Sequence, residues 1–303
     1  MRSALRLLVL LSAAALATAP ALAFVYTSGD VLYVAYQSPS GPNYIVNLGS
    51  RTQFVNATTT ITFPNVLASD LNGVIGASAP NIWVGLFGVL NPTTRDGLVS
   101  ANGPIIDDDL LLSSILGATG QIDSFGNGVR DLSLAVPSGN PNAGKFASAG
   151  SAGSYQSTLN GSTKGTLGSN VHWDVETALS NASGVRNPAP VNISFYVAIR
   201  NTVVGTFSRR LIGFFKLNPD GTLTYSPDAD GDFIPDDIDL CPGVNSTDNS
   251  DTDGDHHAPA CDCNPADGTV WGIPAEVATF TFSNSSGYSW PAPSDLGGTA
   301  SLY

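Results

Sequence analysis

An aspartate-rich segment towards the C-terminal end constrains this chain more than any other feature of its sequence. Twelve of the 23 aspartates in the 303 residues lie within residues 228–267, which contain no lysine, arginine or glutamate. The net charge of −13 is therefore local, because residues 24–227 carry ten Asp, one Glu and ten Lys or Arg and sum to −1. Such a balance argues against a nucleic-acid-binding protein, which needs a basic surface.

The aspartates of this segment recur at alternate positions in two copies. Counting Asp228 as position 1, carboxylates fall at positions 1, 3, 5, 9 and 12, and a second copy from Asp251 has them at positions 1, 3, 5 and 12. Calcium takes about six to eight oxygen ligands, and a tight loop with this spacing supplies carboxylates together with a backbone carbonyl at position 7. The pattern predicts two calcium sites, and the alternative is an acidic disordered linker.

The segment lacks an obvious source of order other than an ion. Two carboxylates about 4 Å apart repel by roughly 4 kcal/mol at an effective dielectric constant of about 20. Its larger apolar side chains are too few to order forty residues by burial; they are Phe233, Ile234, Ile238, Leu240 and Val244. We therefore expect metal binding to be coupled to folding.

Two cysteine motifs accompany the aspartates, namely Cys241-Pro242 and Ala260-Cys261-Asp262. With the aspartate spacing, they resemble thrombospondin type 3 repeats over residues 228–265, whereas an EF-hand or a dockerin would need helices that the local sequence does not favour. The resemblance implies Ca²⁺ as the bound cofactor and a disulfide between Cys241 and Cys261, with Cys241–Cys263 as the alternative. It implies these ligands: Asp228, Asp230, Asp232, Ile234 (carbonyl), Asp236 and Asp239 in the first repeat, and Asp251, Asp253, Asp255, His257 (carbonyl) and Asp262 in the second.

Both copies depart from the repeat pattern. Position 6, usually glycine, is Phe233 in the first copy and His256 in the second, which predicts a strained turn. Pro259 stands at position 9 of the second copy, so one carboxylate is missing and we expect weaker binding there, in or beyond the range of about 10⁻⁴ to 10⁻³ M. The side chains of His256 and His257 suggest a transition metal as the alternative ion.

The first 23 residues have the pattern of a secretory signal peptide. Arg2 and Arg6 precede an apolar run over residues 7–16, and Ala21-Leu22-Ala23 is a small-residue cleavage site. The mature chain is therefore expected to be secreted, extracellular or on the cell surface, with no membrane span. Export also predicts oxidising surroundings in which cysteines pair.

Residues 24–227 read as an exported β domain. Short apolar or alternating runs predict strands over residues 31–37, 44–48, 82–90, 191–199, 211–217 and 222–225, and turn residues at 39–42 and 218–221 predict two hairpins. Residues 66–74 and 170–180 have helical periodicity, and residues 138–169 read as a long surface loop. The predicted class is mainly β: a β-sandwich-like domain with a few short helices, a calcium-ordered repeat segment at 228–267, and the truncated start of a second sandwich.

No catalytic constellation is visible in residues 24–227, so we predict that this chain is not an enzyme. We interpret His172 as a structural residue and Asp107-Asp108-Asp109 as a helix cap or a solvent-exposed run. The region contains a single glutamate, Glu176. Trp83 and Trp173 are the large aromatic candidates for a carbohydrate- or surface-ligand-binding site, which is the alternative function.

Two weaker resemblances concern the flanking regions. Residues 29–32, 44–49, 53–54 and 211–225 resemble the opening and the last hairpin of bacterial PEP-CTERM-type exported proteins. Residues 268–303 resemble the start of a fibronectin type III domain, which implies that the natural chain continues beyond Tyr303, with a larger secreted hydrolase as a further alternative. The leading expectation is an extracellular structural or adhesive protein with matrix or cell-surface partners, in which calcium rigidifies a spacer.

Overall fold

A computed structural model describes residues 24–91, 96–102, 112–160, 176–201, 206–272, 281–284 and 287–289. The signal peptide, Asp107-Asp108-Asp109, His172 and Trp173 lie outside these residues. The strands are β1 Asp30–Gln37, β2 Asn43–Ser50, β3 Ile61–Thr62, β4 Ile82–Asn91, β5 Asp96–Ala101, β6 Leu134–Ala135, β7 Ala143–Phe146, β8 Glu176–Ala178, β9 Val191–Asn201, β10 Thr206–Leu217, β11 Leu223–Pro227, β12 Thr281–Asn284 and β13 Gly287–Ser289. The helices are α1 Thr52–Val55, α2 Ala68–Val74 and α3 Leu112–Leu132, followed by a π-helical turn at Gln156–Asn160.

The predicted mainly-β class is confirmed. Within the described residues, eleven strands form one curled antiparallel sheet in the order β3-β11-β10-β9-β5-β4-β1-β2-β7-β6, and β8 also pairs with β4. Both predicted hairpins form, because β1 pairs with β2 and β10 pairs with β11. The short strands β12 and β13 pair only with each other.

Each face of the sheet carries its own hydrophobic cluster. On one face, Ile122, Phe125 and Val129 of α3 pack over the centre of the sheet. On the opposite face, Phe54 of α1 and Leu71 of α2 join the inward side chains of the same strands. Because successive side chains of a strand point to opposite faces, the central strands are apolar at nearly every position.

Two local predictions for residues 24–227 are wrong. Residues 176–178, expected to be helical, form strand β8, because the edge of β4 offers backbone partners there. The expected surface loop 138–169 contains strand β7 and places Tyr155 and Leu159 in the core. The helix predicted over residues 66–74 is confirmed as α2.

Among the residues that the structure covers, no helix combines the length and the apolar character that crossing a bilayer requires.

Candidate metal centre

The two aspartate-rich copies fold into the same loop, 23 residues apart, from Asp228 and from Asp251. The Asp228 carboxylate accepts hydrogen bonds from the backbone N–H of Gly231 at 2.7 Å and of Phe233 at 3.1 Å. Asp251 accepts the equivalent bonds from Gly254 at 2.7 Å and from His256 at 3.0 Å. The first aspartate of each copy thus closes its loop by bonds to the third and fifth residues that follow it.

The equivalence continues through the rest of each loop. Asp232 Oδ1 accepts from Ile234 N at 2.7 Å, as Asp255 Oδ1 accepts from His257 N at 2.9 Å. Each loop then ends in a single turn, in which the backbone N–H of Asp239 bonds to Pro235 O and that of Asp262 bonds to Ala258 O, both at 3.0 Å. The carboxylate of the closing aspartate next accepts a backbone N–H two residues later, from Cys241 in the first copy and from Asn264 in the second.

The strained turn predicted at position 6 of each copy is confirmed. Phe233 has φ of 77° and His256 has φ of 69°, a region that L-residues with a side chain rarely adopt. Glycine at position 4 also has positive φ, 77° at Gly231 and 87° at Gly254. The same two non-glycine residues donate their N–H to the first aspartate of the loop, and these bonds help to hold the unfavourable conformation.

Each loop brings three carboxylates together. Ligand oxygens of Asp228, Asp230 and Asp232 lie within 4.8 Å of one another, and so do those of the second cluster. We call these the first cluster (Asp228, Asp230, Asp232) and the second cluster (Asp251, Asp253, Asp255). Asp228 and Asp232 are each only 2% exposed, so the first cluster concentrates negative charge in a place that water barely reaches.

In each cluster the surroundings destabilise the ionised form of one carboxylate, whereas, although burial opposes the shift, backbone N–H donors lower the pKa of Asp251 in the second cluster. Burial, followed by the charges of Asp232 and Asp230, raises the pKa of Asp228 to about 6, although two backbone N–H groups oppose the shift. Burial, followed by the charge of Asp255, also raises the pKa of Asp253. A raised carboxyl pKa means that the ionised form is destabilised in the folded protein, which a bound cation would reverse.

Several carboxylate oxygens face the loop interiors without a hydrogen-bond donor. Among the described residues, no donor meets Asp239 Oδ2, either oxygen of Asp253, or Asp255 Oδ2. The Asp255 side chain is only 1% exposed, so its free oxygen is also shielded from solvent. Buried polar atoms are nearly always paired, and the lone pairs left over here are ligands of the kind that a hard cation takes.

The remaining predicted carboxylate ligands, Asp236, Asp239 and Asp262, belong to neither cluster. Burial first, and then the charges of Asp232 and Asp230, raise the pKa of Asp239. The charge of Asp262, which is 8% exposed, also raises the pKa of Asp253, after burial and the charge of Asp255. Asp236 instead accepts the backbone N–H of Ala229 at 2.9 Å. The roles of the Ile234 and His257 carbonyl groups as ligands stay predictions.

Both histidine side chains border the second cluster, and His257 Nδ1 lies 3.7 Å from Asp255 Oδ1. The His256 side chain is 88% exposed, and its Nδ1 lies 3.9 Å from Asp251. The ring of His257 stacks on Trp271, with ring centroids 5.8 Å apart and planes 6° from parallel. Trp271 O also accepts the backbone N–H of Cys263, so residues 263–272 fold back on the second loop. The sequence did not predict this contact, because nothing in the local pattern links Trp271 to the loop.

The segment between the loops wraps around the first cluster. The backbone N–H of Gly243 donates to Asp230 Oδ2 at 2.9 Å, and that of Ser246 donates to Asp232 Oδ2 at 3.1 Å. Asn249 accepts from Leu240 N at 2.7 Å and donates to Ile238 O at 2.8 Å. These contacts, which the sequence analysis missed, explain how residues between two acidic loops become ordered without a hydrophobic core.

The disulfide implied by the repeat resemblance is confirmed. Cys241 pairs with Cys261, with Cα atoms 5.6 Å apart, and Cys263 remains an exposed thiol. Each bonded cysteine lies within two residues of the closing aspartate of its copy, Asp239 or Asp262. The bridge therefore fastens the end of the first loop to the end of the second.

Replacing both bonded cysteines with serine is expected to destabilise the acidic segment by about 3 kcal/mol, because the bridge closes a loop with a sequence separation of 20. Hydrogen exchange of the backbone amides of residues 228–265 as a function of denaturant concentration would measure this loss. Cys263→Ser is the matched control and should leave the free energy of opening of these amides unchanged. Equal opening free energies for the double variant and the control would contradict the expectation.

The sheet also contains a buried carboxylate. Glu176, which is 1% exposed, accepts a hydrogen bond from Tyr36 at 2.7 Å and another from Tyr155. Burial, and then the charge of Glu176, raises the pKa of Tyr155. Sequence analysis missed this arrangement, since it depends on strands distant in sequence. Trp83, a predicted ligand-binding aromatic residue, packs against the hydrophobic cluster on the α3 face of the sheet.

Comparison with protein-family models, with curated proteins and with solved structures gave no match. The resemblance of residues 228–265 to thrombospondin type 3 repeats therefore stays a prediction. The structural observations that bear on a metal are the carboxylate clusters and their shielded oxygens.

Proposed function

We propose that this protein is an extracellular calcium-binding structural or adhesive protein in which two calcium ions order residues 228–265. The first ion would be held by the first cluster with Asp236, Asp239 and the Ile234 carbonyl. The second would be held by the second cluster with Asp262 and the His257 carbonyl. When bound, each ion would supply positive charge that offsets the repulsion within its loop, and the loops would form a stiff spacer after the β domain.

One observation carries this proposal: the same loop is built twice, and in both copies three carboxylates converge to within 4.8 Å of one another. A disordered acidic linker would place its charges in water, because separated and solvated carboxylates are lower in energy than clustered ones. Here the Asp228, Asp232 and Asp255 side chains are nearly or fully buried. A cation is the simplest partner for such an arrangement.

The ligand chemistry favours calcium over a transition metal. Each cluster offers oxygen atoms only, while transition metals of the zinc and copper type prefer imidazole nitrogen and thiolate sulphur. His256 is exposed, the His257 ring is stacked on Trp271, and Cys241 and Cys261 are oxidised. Calcium also accepts irregular coordination more readily than magnesium, which suits loops that differ in one ligand.

The extracellular location rests on two separate features. The first 23 residues have the composition of a secretory signal peptide. The Cys241–Cys261 disulfide suits an oxidising compartment, since disulfides seldom persist in the cytosol. Calcium is also far more abundant outside cells, which would permit sites of modest affinity to be filled.

Calorimetric titration of the full mature chain with calcium should give two sites, the second being weaker. Asp228→Asn is expected to weaken the first site by at least about tenfold, because calcium affinity depends on the number of charged ligands. Asp251→Asn should act in the same way on the second site. Binding of a single ion, or of none, would contradict the proposal.

Asp248→Asn is the matched control for these variants. It removes the same charge from the same segment, but among the described residues this exposed carboxylate bonds only to Ser250 and belongs to neither cluster. Its titration should equal that of the unmodified chain. If Asp248→Asn weakens binding as much as Asp228→Asn does, calcium is responding to net charge and not to a built site.

A further inference from the structure

A pocket of about 340 Å³ lies where the first acidic loop covers one end of the sheet. Its floor comes from strands β9, β10 and β11, and Pro235, Asp237 and Ile238 of the acidic loop form one wall. The volume is at the lower end of the range of about 300–1,000 Å³ for small-molecule sites. The pocket belongs neither to the carboxylate clusters nor to the sites predicted from sequence.

The floor of the pocket mixes polar side chains with Phe214, which belongs to the hydrophobic cluster on the α3 face of the sheet. Lys216 of β10 is flanked by Asn192 on β9 and by Thr224 on β11. Two residues earlier on β10, Phe214 lies opposite Ser226. Residues two apart on a strand share a face and lie about 7 Å apart. The pocket therefore has two rows of side chains about 7 Å apart, one that contains Lys216 and one that contains Phe214.

The two charged groups of the pocket occupy different rows. Asp237 accepts a hydrogen bond from the Ser226 hydroxyl at 2.6 Å, which anchors its carboxylate over the row that contains Phe214. Lys216 is exposed on the neighbouring row and makes no ion pair within the described part of the chain. The pocket thus presents a separate ammonium and a separate carboxylate, with the Phe214 ring in the row over which the carboxylate is anchored.

We propose that this pocket binds an acidic sugar, with the carboxylate of the sugar on Lys216 and its hydroxyl groups on Asp237 and the polar side chains of the floor. A sugar acid is a ring that carries one negative group and several hydroxyls, each of which both donates and accepts. Asn192 and Thr224 can do the same, since an amide or a hydroxyl offers both donor and acceptor atoms, whereas the Ser226 hydroxyl already donates to Asp237 and offers only acceptor capacity. Phe214 and Ile238 supply apolar surface for the C–H face of the ring.

The charged and polar side chains of the pocket favour an acidic sugar over a neutral sugar and over a dipeptide. A neutral sugar would leave the Lys216 ammonium without its charged partner, and hydrogen bonds to charged groups are worth more than neutral ones. A dipeptide would match the two charges, but its single amide would use few of the three neutral side chains. Acidic sugars are therefore the ligand class that satisfies every polar group of the pocket.

The wall of the pocket connects it to the first cluster. Asp237 follows Asp236 directly and lies two residues before Asp239, both of which are predicted calcium ligands. Calcium at the first cluster would therefore hold the wall in place. This linkage rests on the proposed function, whereas the sugar specificity rests on the pocket alone.

The test is calorimetric titration of the full mature chain with D-glucuronate, D-glucose and glycylglycine in the presence of calcium. Glucuronate should bind at least about tenfold more tightly than the other two probes. Lys216→Ala should remove most of this preference, while Lys145→Ala, the same change on strand β7, should leave it intact. Equal binding of glucose, or preferential binding of the dipeptide, would overturn the proposal.

A second arm repeats the glucuronate titration after calcium has been removed with EGTA. Binding is expected to weaken by at least about fivefold, with the calcium titration of Lys216→Ala unchanged. If calcium binds and glucuronate does not, the pocket proposal fails while the proposed function stands. If glucuronate binds through Lys216 and calcium does not bind at all, the pocket proposal stands while the proposed function fails.

Discussion

Removing calcium is expected to make residues 228–265 the fastest-cut region of the folded protein. Chymotrypsin cleaves after aromatic residues, and the Phe233 side chain within the first loop is already 46% exposed. An ion at about 100 times its Kd stabilises the bound state by about 2.7 kcal/mol. Because cleavage follows the population of the opened loop, we expect EGTA to raise the rate of cleavage after Phe233 by about 100-fold.

The β domain supplies the internal control for this experiment. Phe54, Phe87 and Phe125 are each no more than 1% exposed, so chymotrypsin should cut after them slowly with or without calcium. The products can be identified by mass spectrometry, and magnesium at the same concentration controls for ionic strength. Equal rates of cleavage after Phe233 with calcium and with EGTA would mean that no ion orders the segment.

Phe54→Ala is expected to lower the free energy of unfolding of the β domain by about 3–5 kcal/mol. Phe54 is 1% exposed and lies at the centre of an aromatic cluster. The centroid of its ring is 5.2 Å from that of Tyr225, and those of the other three neighbouring rings lie 5.7–5.9 Å away; they belong to Phe63, Phe195 and Phe215. Truncation removes all four ring contacts and leaves a cavity between α1 and the sheet.

Chemical denaturation in saturating calcium would measure this effect without a contribution from the acidic segment. Ile199→Ala is the matched control within the β domain, because Ile199 is 39% exposed and its truncation should cost less than about 1 kcal/mol. A loss for Phe54→Ala as small as that of the control would show that the aromatic cluster does not stabilise the sheet.

Strands and hairpins with strong local signals were predictable from sequence. The run over residues 31–37 forms most of β1, and the turn at residues 218–221 joins β10 to β11 as expected. Turn residues and apolar periodicity act over a few neighbouring positions, so a single sequence contains their effect. The same reasoning explains why α2 was predicted correctly.

Predictions failed where distant residues decide the structure. Residues 176–178 have helical periodicity, but pairing with β4, more than ninety residues earlier, makes them a strand. Burial of Glu176 against Tyr36 and Tyr155 follows from that pairing. The pocket also depends on such a contact, since Asp237 meets Ser226 only after the acidic loop folds back over the sheet.

The sequence by itself determined the two acidic loops, because each is closed by hydrogen bonds between residues no more than five positions apart, such as those from Gly231 and Phe233 to Asp228. It also indicated the Cys241–Cys261 bridge through a repeat pattern. Only the tertiary structure decided the strand order, the burial of Glu176 and the charged pocket at the end of the sheet. Those features join residues far apart in the chain, and long-range packing is not encoded in the local pattern on either side of a contact.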